Sequence, residues 1–190
     1  MYQFEASIIL WIQENLRGVL DGCWIFVTHL GDEGYLWIAL GIVLLCWKKT
    51  RPIGITVLLS LLFDFLIINV TLKGLVARPR PFVVNEAIVA LVGGVSPYRS
   101  FPSGHSGGSF AALLALYKWV PKKIGISAIV LATFVALSRL YVGVHYPTDI
   151  LGGLAVGIVS SFVAYRIVKS FMQKRAKNDL EEIGEHKIDG

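Results

Sequence analysis

The chain has 190 residues, of which 55% are hydrophobic and only 16% charged, and its mean hydropathy is +0.64. So little charge, with the apolar residues gathered in long blocks, excludes an ordinary water-soluble domain and implies a polytopic helical membrane protein. Net charge is +5, and the two cysteines, Cys23 and Cys46, lie far apart in apolar surroundings. That excludes a disulfide framework or a cysteine metal site, and both are read as packing residues.

The N-terminal Met-Tyr-Gln-Phe-Glu carries no basic stretch ahead of its apolar run, so it does not read as a cleaved leader. Residues 4–17 mix Ile8, Ile9, Leu10, Trp11 and Ile12 with Gln13, Glu14, Asn15 and Arg17. Charges at mid-bilayer cost ~2.5–3.5 kcal/mol each. The stretch is therefore read as an amphipathic helix in the interface, followed by a short helix near 20–29. A sixth, polar span inside the bundle is the alternative.

His29-Leu-Gly-Asp-Glu-Gly34 reads as a turn. Five spans are expected after it, at 35–47, 53–76, 103–120, 124–141 and 147–171, the second opening on Pro52. Asp64 inside the second span should face the bundle, with a hydrogen bond to another helix favoured over a catalytic part. Pro79 and Pro81 stop that span. Residues 82–101 make a loop whose apolar piece, 88–95, either touches the membrane surface or packs within the loop. Gly153 and Gly157, four apart, offer a small-residue face for close helix approach. The expected fold is all-α: a polytopic bundle of five to six transmembrane helices with an interfacial N-terminal helix. The expected units are 1–30, a membrane bundle at 31–171, and a polar cytoplasmic tail at 172–190 without fixed structure.

Five alternating spans put Lys48, Lys49, Arg51, Lys118, Lys122, Lys123, Lys174, Arg175 and Lys177 on one side, which the positive-inside rule makes cytoplasmic. The loops at 77–102 and 142–146 then share the outer side of a plasma membrane.

Those outer ends carry three polar clusters: Lys73 to Pro81, Pro102-Ser-Gly-His105, and Ser138-Arg139 with His145 and Asp149. Ser103 suits an N-cap, Gly104 admits a ligand to the backbone, and the helix start offers free amides to an anion. Lys73, Arg80 and Arg139 add positive charge and forked donors for phosphate oxygens. His145 and Asp149 are four apart where a helix begins, so they share a face. A carboxylate on Nδ1–H frees Nε2 to attack phosphorus, giving a phosphohistidine. His105 is placed to protonate the departing oxygen and then activate water.

The clusters closely resemble the type-2 phosphatidic acid phosphatase family, whose pattern is Lys, six residues, Arg-Pro; Pro-Ser-Gly-His; and Ser-Arg, five residues, His, three residues, Asp. Lys73 with Arg80-Pro81, Pro102 to His105, and Ser138-Arg139 with His145 and Asp149 fit without departure, and Arg78-Pro79 is an extra pair. The resemblance implies hydrolysis of lipid phosphate esters or anhydrides with no metal or cofactor. It assigns His145 as nucleophile, Asp149 as its partner and His105 as general acid, with Lys73, Arg80, Ser103, Gly104 and Arg139 on the phosphate. The implied partners are a lipid phosphate and the bilayer, with no nucleic acid. Small bacterial relatives of this layout look like undecaprenyl diphosphate phosphatases, while phosphatidylglycerophosphate and phosphatidic acid compete as substrates. A lipid phosphotransferase and a non-enzymatic phosphate-binding membrane protein are the other readings.

Overall fold

In the computed structural model, which describes residues 2–186, every regular element is helical. Helix α1 spans Tyr2–Leu16 and α2 Asp21–His29; a 3-10 turn at Asp32–Gly34 leads into α3, Tyr35–Leu45. Helix α4, Arg51–Phe65, continues through a π-helical stretch at Leu66–Leu72 into α5, Lys73–Val76. Helix α6 is the single turn Pro81–Val84; α7 is Gly104–Tyr117, α8 Lys122–Tyr141 and α9 Pro147–His186.

Among the described residues three stretches are long and apolar enough to cross a membrane: Arg51–Val84, which is interrupted at 77–80, Lys122–Tyr141 and Pro147–Asp179. The expected spans at 35–47 and 103–120 are shorter, 11 and 14 residues. At 1.5 Å per residue, about 16 and 21 Å, neither matches the ~30 Å hydrocarbon layer alone. Helix α7 tolerates this because it is the central helix, packed against α4, α8 and α9. Around it lies a core of Phe110, Ala112, Leu113, Ala128, Ala132 and Val135, with Trp37 donating to Ser109 Oγ at 3.1 Å.

Small residues set the helix spacing. A Cβ on Gly153 would lie 2.5 Å from the Ser103 carbonyl, and one on Gly157 2.8 Å from that of Gly107. These are the two glycines expected to allow close approach, and they dock α9 on α7. Helices α3 and α4 meet likewise, with a Gly54 Cβ position 2.7 Å from the Gly41 carbonyl.

Helix α1 hydrogen-bonds at one end of the bundle. Gln13 exchanges bonds of 2.9 Å with Ala87 O and Val89 N, and Arg17 donates to Tyr141 O. Gln13 is thus paired with loop backbone and Arg17 with the end of α8, which fits a helix lying across the end. The apolar piece at 88–95 packs inward: Ile88 is buried with Ala6, Ile9 and Tyr146, and Leu91 and Val95 rest on Tyr141, Val142 and Val144.

Three expectations need correction. Cys23 and Cys46 are exposed rather than packed. Asp64 is buried and faces α7 as expected, but its Oδ1 has no hydrogen-bond partner among the described residues. The facing positions are Gly107 and Gly108, which offer no side-chain donor. The polar stretch after 171 is helical as far as His186 rather than without structure, while 187–190 lie outside the described residues. Its Lys, Arg, Glu, Gln and Ala residues are strong helix formers with no proline among them, and Lys177 and Glu181 pair one turn apart at 3.5 Å.

Candidate active site

Two helix starts and two helix ends meet where the three clusters come together. The Ser103 amide donates to the Asp149 carbonyl at 2.9 Å, joining the starts of α7 and α9. His105 and His145 therefore sit at the same end of the bundle. The turn at 142–146 is made by Gly143 at φ +78, where a Cβ would lie 3.0 Å from Val89 O. Glycine is needed there.

His145 is buried, with Nδ1 3.4 Å from Asp149 Oδ2 and Nε2 3.2 Å from Arg80 Nη1. Arginine only donates, so Nε2 carries the lone pair and Nδ1 the proton. That is the tautomer a nucleophilic Nε2 needs. Burial pushes the imidazole down to about 3; the Asp149 bond opposes this, and the charges of Arg80 and Arg139 add to it. Asp149 is fully enclosed and also accepts from Ser100 Oγ and the Tyr146 amide.

Arg80 and Arg139 act on this ring, and Lys73 lies beside the start of α7. Arg80 is fixed by Ser96 O at 2.6 Å and Val144 O at 2.8 Å. Arg139 donates to Thr28 Oγ1, and its buried Nε has no acceptor among the described residues. A buried guanidinium donor left unused is costly unless a ligand oxygen takes it. Lys73 Nζ bonds Asn69 Oδ1 at 2.7 Å and would be 3.2 Å from a Cβ on Gly104. The π stretch sets Lys73 and Asn69 beside the α7 start, a common use of π turns. Ser103 caps α7 as expected, its Oγ accepting from Ser106 N at 3.3 Å. The amides of Gly104 and His105, in the first turn, have no acceptor within the helix and point at the same space. Ser138 takes no part: its hydroxyl donates back to Val135 O within α8.

Several site residues carried no sequence signal. Arg78, noticed only as an extra Arg-Pro, donates to Asp149 Oδ1 at 2.6 Å and to Glu5 Oε2 at 2.8 Å, all three buried. Thr148 bonds the same Glu5 and accepts from Arg78. Asp32 meets His105, Thr28 meets Arg139 and Ser100 meets Asp149. No spacing rule links these residues to the motifs; only the extra Arg-Pro gave a hint.

A cavity of about 370 Å³ opens beside Lys73, Gly104 and His105 and continues along Leu58, Leu61, Leu62 and Phe65. Its lining also takes in Glu33, Asp64 and Asn69, while His145, Arg80 and Arg139 lie outside it, so this apolar-walled space adjoins the site on the His105 side. Three fixed cations, helix-start amides and a correctly protonated imidazole are the parts of phosphoryl transfer by electrostatic stabilisation.

A family model described as the PAP2 superfamily matches residues 53–173. The chain is 34% identical to an undecaprenyl-diphosphatase of Sulfolobus acidocaldarius over 182 residues, 94% of this chain and 85% of that one. It is 32% identical to phosphatidylglycerophosphatase B of Bacillus subtilis over 189 residues, 90% and 81% of the two chains. The crystal structure of a transmembrane PAP2 type phosphatidylglycerolphosphate phosphatase from Bacillus subtilis superposes with a TM-score of 0.72 at 30% identity, covering 90% of this chain and 86% of that one.

Proposed function

This chain belongs to the PAP2 superfamily and is a membrane lipid phosphatase, and from that premise we propose that it hydrolyses undecaprenyl diphosphate to undecaprenyl phosphate through a phosphohistidine on His145. The observation that carries the chemistry is the contact of Arg80 with His145 Nε2, which points the lone pair at the cations. His145 Nε2 bonds to the terminal phosphorus and the bridging P–O bond breaks. His105 gives its proton to the departing oxygen and is left neutral. Water then loses a proton to His105 and its oxygen attacks phosphorus. The P–N bond breaks, and inorganic phosphate and free His145 result. Asp149 holds the Nδ1 proton throughout; Lys73, Arg80, Arg139, Ser103 and Gly104 hold the phosphoryl oxygens.

The substrate choice is supported by the named activity of the Sulfolobus relative and by the apolar cavity beside the site. The B. subtilis relative favours phosphatidylglycerophosphate as a second reading. The basic residues at the far ends of α4, α7, α8 and α9 support an extracytoplasmic site. In this reading residues 31–171 are the catalytic bundle, 1–30 lie over its active end, and 172–190 are cytoplasmic.

Phosphate release by purified protein across prenyl diphosphate, phosphatidylglycerophosphate and phosphatidic acid tests the substrate. No turnover of any prenyl diphosphate removes the first choice. Rapid quench with terminally labelled substrate should leave alkali-stable, acid-labile label on wild-type protein and none on His145→Gln. Label retained by that variant refutes the nucleophile.

A further inference from the structure

The turn between α2 and α3 holds the second histidine in a way the steps above leave unused. Asp32 stands between two imidazoles: Oδ1 is 2.9 Å from His105 Nε2 and Oδ2 is 2.6 Å from His29 Nδ1. Gly31 lies against the face of the His105 ring, where a Cβ would come within 2.7 Å of Cδ2 and 2.8 Å of Val135 Cγ1. Glycine at that position lets the turn close on the ring. Thr28, one turn earlier, takes Arg139, so the same segment touches two parts of the site.

Partial burial works against ionisation of Asp32, but the bonds from His29 and His105 outweigh it and hold the carboxyl below its ordinary range. An ionised carboxylate only accepts, so the proton of each bond sits on the histidine nitrogen. The charged groups around the His105 ring are Asp32 from the turn, Arg139 from α8 and Lys73 from α5. Asp32 is the carboxylate that offsets the two cations there.

We propose that Asp32 is a positioning residue for leaving-group protonation: it holds His105 by Nε2 and so assigns Nδ1 as the nitrogen that gives a proton to the departing lipid oxygen and takes one from the attacking water. The inference rests on the role of His105 given above. It gives the site two carboxylate–histidine pairs, Asp149 on the nucleophile and Asp32 on the acid. The second lies outside the three motif clusters. A lipid diphosphate leaves as a phosphate anion and an aryl phosphate as a phenolate, and neither needs much help from an acid. An alkyl monophosphate does.

The test compares full-length wild type, Asp32→Asn, Asp32→Glu, His105→Ala and the Asp32→Asn/His105→Ala double variant in detergent micelles. Substrates are a long-chain alkyl phosphate and an aryl phosphate whose phenol carries the same chain. Asp32→Asn should lower kcat on the alkyl ester by roughly 10–100-fold, part of the range a general acid supplies. KM should change little, and the aryl rate should fall less than about threefold on the same reasoning. Asp32→Glu should recover much of the alkyl rate, and Asp32→Asn should add nothing once His105 is gone. An equal fall on both esters, a fall confined to KM, or an additive double variant overturns the positioning role. A slow His105→Ala beside an unaffected Asp32→Asn sinks Asp32 alone. Full alkyl activity in His105→Ala sinks the underlying assignment as well. If Asp32→Asn does not fold, Gly31→Ala displaces the same ring, and the same ester comparison decides.

Discussion

Replacing Arg78 by methionine should damage the protein well beyond a surface change, because one guanidinium holds two buried carboxylates. It reaches Asp149 Oδ1 at 2.6 Å and Glu5 Oε2 at 2.8 Å, and it is itself 7% exposed. Methionine keeps much of the length and removes the charge. Asp149 would retain Ser100, the Tyr146 amide and His145, whereas the one remaining partner of Glu5 among the described residues would be Thr148. Removing one partner of a buried pair costs about 3–5 kcal/mol. In a chain of this size 1 kcal/mol corresponds to ~2–4 °C, so Tm should fall by roughly 6–20 °C. Adding Glu5→Leu removes the stranded charge, so the double variant should melt above Arg78→Met alone. The assay is thermal unfolding in detergent, followed by tryptophan fluorescence at a fixed scan rate, with kcat measured on the same samples. Arg78→Met melting within about 2 °C of wild type, against that range, would refute the reasoning. So would a double variant that melts below the single one.

Other expectations are narrower. Gly153→Ala places a Cβ 2.5 Å from a backbone carbonyl that cannot turn aside, so it should lose about 1–3 kcal/mol. Gly22→Ala, with nothing within 4 Å, should be neutral or slightly stabilising by the same melting assay, and equal losses would count against the packing account. Because burial drives His145 down to about 3, its neutral form persists as pH falls through 6.5. Histidine 15N spectra, assigned with His145→Gln, should show a neutral ring at pH 5, and a titration centred near 6.5 would be the contrary result. Phosphate release should survive exhaustive chelation, and activity restored only by a divalent ion would overturn the metal-free mechanism.

The residues proposed to hold phosphate are legible in the sequence, and the residues that hold them in place are not. Lys73, Arg80, His105, Arg139 and His145 lie at helix ends, where a fixed spacing and a run of apolar residues reveal which end each occupies. Their supports come from anywhere the fold brings a polar side chain: Glu5 bonds Thr148 across 143 residues, and Arg139 reaches Thr28 across 111. Periodicity has no means of pairing such positions. Pro52 and Pro147 each lie in the first turn of a helix as expected, whereas Pro81, read as a stop, opens the short helix α6 inside the expected loop. Polarity misleads at 172–186, where the expected absence of structure gives way to helix because the residues are good helix formers. Helices α3 and α7 have the apolar composition expected of spans, and at 11 and 14 residues they are shorter than the stretches from which they were read.

The wide coil at Leu66–Leu72 has a bearing on how this chain tolerates changes in length. A π turn accommodates one surplus residue without altering the phase of the helix on either side. Asp64 before it and Lys73 after it keep their facings although the count between them is odd for an α-helix. A one-residue deletion at exposed Val70 would let the coil tighten and leave both facings intact. The same deletion within Arg51–Phe65 has no slack to absorb it, and would swing everything beyond it by about 100° about the axis, carrying the lysine out of register.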